Sequence, residues 1–370
     1  MFKVAVVPGD GIGGEVIAEG LKVLRVMEEN DNLKIEFTEM DIGATRYLKT
    51  GELLTAEDMV TLREQDAIYF GAIGDPRVTP GVLERGVLLA MRTQFDQFIN
   101  HRPVKSWHPF TPLKSGVDFD IDFLRENTED VYMGAGGTFT PESKSDSIHI
   151  ERGLYTLDIA MEASYEGDND FAFEVGLLSR KGVERFADFV MDFSVKRGEK
   201  KVTAVDKANV CRQMYGLWRE VFAQRADEHD IDVEFMFVDA MAMALVRRPQ
   251  DFGVVATPNM FGDILTDLGA EVQGGIGLAA SGNITPFGVS MFEPVHGSAP
   301  DIAGQGKANP FGALLAAKMM LDHMDHKELG SRIEEGIRHC IDAGILTPDL
   351  GGKASTSQVG DAVVDFMLMT

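Results

Sequence analysis

The sequence contains only two cysteines in 370 residues, Cys211 and Cys340, and neither has a second cysteine nearby. Two isolated cysteines predict neither a disulfide framework nor a zinc site. Positive charge is also scarce, because 35 lysines and arginines face 59 aspartates and glutamates, for a formal net charge of −24. Such a surface repels nucleic-acid phosphates and anionic lipids, so the sequence predicts no nucleic-acid partner and no membrane partner.

Long apolar runs are missing as well. The longest, at residues 311–321, is interrupted by Lys318 and is too short to cross a bilayer. The N-terminal segment reaches Pro8 after too few apolar residues for the core of a signal peptide. With 44% hydrophobic residues available for a core, we expect a soluble cytoplasmic protein of two or three domains.

Strand-like and helix-like segments alternate along the chain, which predicts an α/β fold. The strand-like runs are 3–7, 67–70, 118–124, 201–204, 234–238 and 253–256. The amphipathic helical patterns are 14–28, 86–99, 182–196, 211–226 and 311–326. Between them, residues 132–151 are rich in Gly, Ser, Thr and Pro, which predicts a loop, a hairpin or an extended arm.

A glycine pattern follows the first predicted strand. Gly9, Gly11 and Gly14 fit the dinucleotide-binding fingerprint G-x-G-x-x-G and precede an amphipathic helix. However, the acidic residue that should end the second strand is poorly placed, since the candidates from Glu36 onward come late or in mid-strand. Two interpretations remain open: a pyrophosphate site, in which Gly11 is essential for cofactor binding, or a turn that packs the helix on the sheet.

Three aspartates are candidate metal ligands. Asp263 and Asp267 stand four residues apart in a predicted helix, so both carboxylates lie on one face. A divalent cation would relieve their repulsion, although acids near a helix N-terminus are also common on solvated surfaces. Asp239, which we place at the end of the strand 234–238, supplies a third carboxylate. An all-oxygen set of this kind suits Mg²⁺ or Mn²⁺.

Three arginines are candidate ligands for substrate carboxylates. Arg92 lies in the predicted helix 86–99, Arg102 at or beyond its end, and Arg125 at the end of a strand. Each alone is explained by an ordinary ion pair, but together they would form a clamp for a small polycarboxylate. Tyr132 is a candidate acid and Lys207 a candidate base, beside the alternatives of a half-buried phenol and a surface amine.

Four segments resemble the β-decarboxylating dehydrogenases, the family of isocitrate and isopropylmalate dehydrogenases. They are Asp-Lys-Ala-Asn at 206–209, Val-Asp-Ala-Met-Ala-Met at 238–243, Phe-Gly-Asp-Ile-Leu-Thr-Asp at 261–267 and Phe-Glu-Pro-Val-His-Gly-Ser-Ala-Pro-Asp-Ile-Ala-Gly at 292–304. The resemblance covers essentially the whole chain and implies a fold that is not Rossmann. It implies a large cofactor-binding domain from both chain ends, 1–101 and 256–370, and a smaller domain, 102–255, with a dimerisation arm.

The same resemblance implies a role for each candidate residue. Arg92, Arg102 and Arg125 would bind substrate carboxylates, and Asp239, Asp263 and Asp267 would hold Mg²⁺ or Mn²⁺ beside the substrate. Tyr132 would be the general acid and Lys207 the general base, with Lys207 and Asp239 reaching in from the neighbouring subunit of a homodimer. The residues implied for the cofactor are Glu293, His296, Gly297, Ser298, Ala299, Pro300, Asp301, Ile302 and Asn309. Facing the adenosine ribose, Asp301 would repel a 2′-phosphate, which favours NAD over NADP.

The substrate is a separate question within this family. Leu88 and Leu89, about one turn before Arg92, offer an apolar wall that suits an isopropyl group, so we expect 3-isopropylmalate, converted to 2-oxoisocaproate in leucine biosynthesis. Residues 95–100 and 125–129 look as much like tartrate and D-malate dehydrogenases, and homoisocitrate is a further alternative. A catalytically silent regulatory subunit is disfavoured, because every residue implied for the chemistry is present.

Overall fold

The computed structural model of the chain describes residues 1–31, 33–113 and 116–369. Strands and helices alternate along most of this length, which confirms the predicted α/β fold. The strands are β1 (Phe2–Gly9), β2 (Ile35–Glu39), β3 (Ala67–Ala72), β4 (Ile99–Lys105), β5 (Asp120–Glu126), β6 (Gly136–Phe139), β7 (Ser145–Arg152), β8 (Tyr155–Glu162), β9 (Phe171–Glu174), β10 (Lys201–Asp206), β11 (Asp232–Phe237), β12 (Val254–Thr257), β13 (Ala280–Ile284) and β14 (Ser290–Pro294). The helices are α1 (Gly13–Asn30), α2 (Ala44–Thr50), α3 (Ala56–Arg63), α4 (Ala90–Gln94), α5 (Arg180–Arg197), α6 (Arg212–His229), α7 (Val238–Arg247), α8 (Asn259–Gln273), α9 (Phe311–His323), α10 (Lys327–Asp342) and α11 (Thr356–Met369).

The chain divides into two compact units. Unit 1 comprises Met1–Asp118 and Gly269–Thr370, and unit 2 comprises Phe119–Leu268. The first is therefore built from both ends of the sequence and the second from its middle. The domain bounds given above from the resemblance, 1–101 with 256–370 and 102–255, remain a prediction.

The sheet of unit 1 has the strand order β4-β13-β14-β3-β1-β2. Strands β14, β3, β1 and β2 run parallel, whereas β13 is antiparallel to both β14 and β4. The run Val4–Val7 in β1 is fully buried, as expected for a strand covered on both faces. Helix α1 buries residues at helical spacing, among them Val16, Val23 and Met27, and packs against β3, α9 and α11.

The sheet of unit 2 is parallel, with the strand order β11-β10-β12-β5. Helices α5 and α6 pack on each other through aromatic side chains, with the rings of Phe186 and Trp218 5.6 Å apart. The region predicted as a loop, hairpin or arm, 132–151, contains β6 and most of β7, which pair antiparallel with the later strands β9 and β8. No helix within the described ranges is long and apolar enough to cross a membrane.

The predicted helix 86–99 is wrong at both ends. A π-helical turn occupies Glu84–Leu89, α4 ends at Gln94, and residues from Ile99 onward form β4. The chain turns between them at Asp96, which has a φ of +49°. The predicted C-terminal end was wrong because β4 pairs with β13, nearly two hundred residues away in sequence. Arg102 lies beyond the helix, as one of the predicted alternatives had it, and is part of a strand.

Asp239 also lies in a different element from the predicted one. Strand β11 ends at Phe237, and Asp239 occupies the first turn of α7. An acid in the first turn of a helix is favoured by the helix dipole. The apolar run 235–238 therefore ends the strand at Phe237, and its last residue, Val238, begins the helix.

Candidate active site

The glycine turn between β1 and α1 is closed by contacts within unit 1. Gly11 has a φ of +58°, and a Cβ at this position would lie 1.9 Å from the carbonyl oxygen of Ser298. The amide of Asp10 donates to the carbonyl of Ala72 over 2.8 Å, and that of Ile12 donates to the carbonyl of Ser298 over 2.9 Å. Because these amides bind protein carbonyls, the structure favours a packing turn over a pyrophosphate site.

The segment predicted to bind the adenosine half of the cofactor lies against this turn. Ala299 and Ile302 pack against a small hydrophobic cluster that contains Ile12 and Val16. His296 is buried, and its burial lowers the pKa of the imidazole, which favours the neutral ring. Its Nδ1 lies 3.0 Å from the carbonyl oxygen of Gly297, and no partner among the described residues is within hydrogen-bond distance of its Nε2. A buried ring nitrogen of this kind fits a bound cofactor as its partner.

The flanking cofactor candidates are held in place by neighbouring groups. Asn309 is buried, and its side chain donates to Asp349 over 3.0 Å and accepts from the amide of Phe311 at the start of α9. Asp301 is exposed, and its backbone carbonyl accepts a hydrogen bond of 2.7 Å from Gln305. An exposed carboxylate on a fixed loop is compatible with the ribose contact predicted for it.

Two of the three candidate arginines lie in unit 1, each 8% exposed. Arg92 is in α4, and its Nη2 lies 3.7 Å from the Oε1 of Glu293 on β14. Arg102 is in β4, and its Nε donates to the Oδ1 of Asn100 over 2.8 Å. The hydrogen bond to Asn100 orients the Arg102 guanidinium, and the planar guanidinium of either arginine is suited to two-point recognition of carboxylates.

The third arginine, Arg125, lies in unit 2 at the centre of a polar cluster. It is completely buried; its Nε and Nη2 donate to the Oδ1 of Asn259 over 3.0 and 2.7 Å, and its Nη1 pairs with the Oδ1 of Asp263 at 2.6 Å. The hydroxyl of Tyr132 donates to the other oxygen of Asp263 over 2.7 Å. The Arg125 guanidinium also stands 5.0 Å from the centre of the Tyr132 ring. The structure therefore brings together Arg125, the predicted partner of a substrate carboxylate, with Tyr132, the predicted acid, and Asp263, a predicted metal ligand.

The start of α8 is tied to the loop that carries Tyr132. The amide of Met260 donates to the carboxylate of Asp130 over 3.0 Å, and the Nδ2 of Asn259 donates to the carbonyl of Glu129 over 3.1 Å. Asp130 has a φ of +68°, a conformation that non-glycine residues adopt rarely. These contacts fix the loop beside the helix and so hold the Tyr132 phenol near Asp263.

Lys207 and Asp239 form a second cluster in unit 2. The Nζ of Lys207 contacts the Oδ1 of Asp239 and lies 5.8 Å from the ring centre of Phe237. The hydrogen bond from Lys207 lowers the pKa of Asp239. The neighbouring Asp206 is fully buried and is held by Arg219. The structure thus pairs the predicted base with a predicted metal ligand.

The three predicted metal ligands do not form one site within the chain. Asp263 lies with Arg125 and Tyr132, and Asp267 follows one turn later on α8 with an exposed side chain, whereas Asp239 lies with Lys207. Across the described residues, no group of three or more His, Cys, Asp or Glu side chains is arranged to hold a metal ion. Two carboxylates one helical turn apart nevertheless supply the oxygen donors that Mg²⁺ and Mn²⁺ prefer.

Leu88 and Leu89, the predicted apolar wall, are not equivalent. Both are partly exposed within or at the end of the π-helical turn, but Leu88 packs against the hydrophobic core of unit 1. A wider π-turn changes which side chains lie above Arg92, and such turns are frequent at functional sites. Leu89 is therefore the better candidate for contact with a substrate.

Several residues around these clusters were not predicted from the sequence. One of them is Asn259, which begins α8 and accepts two hydrogen bonds from the buried Arg125. Glu126 and Glu129 are 1% and 2% exposed, and their burial raises the pKa of both carboxyls. No local pattern marks such acids, because charged residues are seldom buried.

Comparisons with known proteins agree with one another. The family model described as "Isocitrate/isopropylmalate dehydrogenase" matches residues 3–363. The chain is 41% identical over 367 residues to a protein of Thermobifida fusca named 3-isopropylmalate dehydrogenase, with 98% of this chain and 96% of the relative covered. It is 43% identical over 371 residues to a protein of that name from Streptomyces coelicolor, with 98% and 97% covered.

Solved structures are similar over the same length. The isocitrate dehydrogenase of Methylococcus capsulatus matches with a TM-score of 0.84 at 32% identity and covers 99% of both chains. A β-decarboxylating dehydrogenase of Thermococcus kodakarensis matches with a TM-score of 0.74 at 32% identity, covering 100% of this chain and 97% of the other.

Proposed function

The chain belongs to the isocitrate/isopropylmalate dehydrogenase family, and on that premise we propose that it converts 3-isopropylmalate to 2-oxoisocaproate in leucine biosynthesis, with NAD and a divalent metal. The family and the relatives' names make it a decarboxylating dehydrogenase that acts on a CH–OH group. The observation that carries the residue roles is the cluster of Arg125, Tyr132 and Asp263, with both contacts to the carboxylate at 2.6–2.7 Å.

The three arginines bind the substrate carboxylates in this proposal. Arg125 is the most strongly fixed, because Asn259 and Asp263 hold three of its guanidinium nitrogens. Its burial strengthens any charge-assisted hydrogen bond that it makes, since little water competes. Arg92 and Arg102 would supply the remaining positive charge for a dianionic substrate.

Asp263 and Asp267 on α8, with Asp239 of a neighbouring subunit, would hold Mg²⁺ or Mn²⁺. A metal held there would supply stabilisation of negative charge on the oxygen at C2, and NAD would supply the acceptor for the hydride from that carbon. Lys207 would act as the general base and take the proton of the C2 hydroxyl. After CO₂ has left C3, the Tyr132 phenol would give a proton to that carbon. The hydrogen bond to Asp263 keeps the phenol in position.

The cofactor is NAD in this proposal because Asp301 is acidic and exposed on the loop 296–302. A carboxylate accepts hydrogen bonds from a ribose 2′-hydroxyl and repels a 2′-phosphate. The residue roles of His296, Gly297, Ser298, Ala299, Pro300, Ile302, Asn309 and Glu293 follow from their place on or beside the same loop.

We also propose a homodimer with shared active sites, located in the cytoplasm. Lys207 pairs with Asp239, whereas Arg125 pairs with Asp263, an arrangement that suits a site in which one pair is supplied by another subunit. Beside Asp239, helix α7 exposes two large apolar side chains, Met243 at 67% and Val246 at 49%. Apolar side chains at this exposure are typical of a surface that another chain covers.

The experiment that tests the substrate follows NADH formation with Mn²⁺ and one acid at a time: 3-isopropylmalate, D-malate, L-tartrate, isocitrate or homoisocitrate. We expect the highest kcat/KM with 3-isopropylmalate. A preference for malate or tartrate would keep the reaction class and show that the surroundings of Leu89 form a smaller or more polar pocket. Preference for a tricarboxylic acid would contradict the apolar wall.

A further inference from the structure

We propose that two buried asparagines, Asn100 and Asn283, are positioning residues that join Arg102 to Glu293 in one hydrogen-bonded chain. This inference rests on the proposed function, in which Arg102 binds the substrate and Glu293 lies at the cofactor. The chain lies wholly within unit 1 and makes the orientation of a substrate-binding guanidinium depend on a residue of the cofactor site.

Three neighbouring antiparallel strands bring these residues together. In the register of β4 with β13, Asn100 is directly opposite Asn283, and in that of β13 with β14, Ser281 is directly opposite Glu293. Side chains two residues apart share one face of a strand, so Arg102 lies on the face of Asn100. Both asparagines are 0% exposed. A polar row therefore crosses the three strands on a single buried face.

The hydrogen bonds along this row run in one direction. The Nε of Arg102 donates to the Oδ1 of Asn100 over 2.8 Å, and the Nδ2 of Asn100 donates to the Oδ1 of Asn283 over 2.9 Å. The Nδ2 of Asn283 then donates to the Oε1 of Glu293 over 2.7 Å. Arginine can only donate and an ionised carboxylate can only accept, so the two ends fix the orientation of both amides.

Charge at both ends strengthens the chain. A positive guanidinium at one end and a negative carboxylate at the other polarise the two amides in the same sense. Glu293 also accepts from the hydroxyl of Ser281 over 3.3 Å, and its Oε1 lies 3.7 Å from the Nη2 of Arg92. Arg92, the other substrate arginine of unit 1, is thus attracted to the same carboxylate. Removing the side chain of either asparagine would leave a buried donor or acceptor unsatisfied, and Arg102 would no longer be held in its orientation.

The test compares Asn100→Ala, Asn283→Ala and the double variant with the wild type as full-length enzyme. In each single variant we expect the KM for the hydroxy acid to rise about tenfold, because one buried hydrogen bond to a charged group is lost. Because both residues act through one chain, the double variant should be no more than about twofold worse than either single variant. Ser290→Ala is the matched control, since Ser290 is also 0% exposed on β14 but bonds to Thr285.

A second variant separates positioning from folding. Asn283→Asp keeps the shape of the side chain and the acceptor for Asn100, but an ionised Asp cannot donate to Glu293. Glu293 on β14 contacts this position directly; the nearest further charges of the row are Arg102 on β4, which binds Asn100, and Arg92 on α4, which lies 3.7 Å from Glu293. Protonation restores the donor, so the KM defect of Asn283→Asp should shrink as the pH is lowered, whereas that of Asn283→Ala should not.

Other outcomes would overturn the inference. If both alanine variants keep the wild-type KM, or match Ser290→Ala, the asparagines do not position Arg102. Fully multiplicative defects in the double variant would show two independent structural effects. If the wild type oxidises none of the hydroxy acids, the proposed function is wrong and the roles of Arg102 and Glu293 fall with it; an active wild type with unaffected variants refutes only the asparagine chain.

Discussion

Replacing Glu126 with glutamine is expected to change how the stability of the protein depends on pH. Glu126 is 1% exposed on β5, where its carboxyl accepts from the amide of Thr128 over 2.9 Å and from the amide of Glu129 over 2.8 Å. Burial, together with the negative charge of Glu129, outweighs these hydrogen bonds and raises the pKa of Glu126 from 4.5 to about 7. The folded protein therefore prefers the protonated acid.

The sign of the effect follows from proton binding. Since the folded pKa is above the unfolded one, the folded state binds more protons across this range, and its stability falls as the pH rises from 4.5 to about 7. At about 1.4 kcal/mol per pKa unit, the loss is on the order of 3 kcal/mol. Burial raises the pKa of Glu129 too, so the transition belongs to the pair. A glutamine side chain cannot ionise, so the Glu126→Gln variant should lack most of this loss.

Urea unfolding of both proteins between about pH 5 and about pH 8 measures the difference. We expect the wild type to lose stability relative to Glu126→Gln across this interval, with no further change above it. Glu334→Gln is the matched control. Burial raises the pKa of Glu334, but hydrogen bonds from Lys105 and Arg338 make the net shift downward, so its contribution should be constant in this interval. A stability difference independent of pH for Glu126→Gln would refute the reasoning.

Three further substitutions test the site. Asp301→Lys should raise the KM for NAD about tenfold and allow reaction with NADP, whereas Asp342→Lys, the same charge change on α10, should alter neither; unchanged cofactor preference would contradict the role of Asp301. Tyr132→Phe should lower kcat about 10²–10⁴-fold in steady-state assays with little change in substrate KM, and a retained kcat would exclude the phenol as the acid. Leu89→Ser should lower kcat/KM for 3-isopropylmalate about 10–100-fold at an unchanged melting temperature. Leu88→Ser should also lower the melting temperature, because Leu88 packs on the core. Equal melting temperatures of the two variants would contradict this distinction.

Local patterns were sufficient for the parts of the site that lie within one element. The spacing of Asp263 and Asp267 predicted one helical face, and α8 places them there. The glycine turn after β1 was also predicted, but not which of its two interpretations holds, because that depends on the carbonyl of Ser298, which is distant in sequence. Periodicity describes an element, whereas the partner of an amide is decided by tertiary packing.

Long-range pairing explains what the sequence did not predict. Arg102 was expected at or beyond a helix end, but its place in a strand could not be predicted, because it depends on the pairing of β4 with β13. That pairing also brings Asn100 against Asn283, 183 residues away, which no local pattern signals. The burial of Glu126 beside another acid could not be predicted from the sequence either. Burying a carboxylate is unfavourable, so it is not expected unless the tertiary contacts that compensate for it are known.

The proposed reaction couples oxidation of a 2-hydroxy acid to loss of CO₂ at a site that would need a divalent metal. The most direct test measures NADH and CO₂ together, with 3-isopropylmalate and NAD as substrates, in the presence of Mn²⁺ or of EDTA. We predict equal amounts of NADH and CO₂ with Mn²⁺ and neither product with EDTA. NADH without CO₂, or turnover that is unaffected by EDTA, would contradict the account.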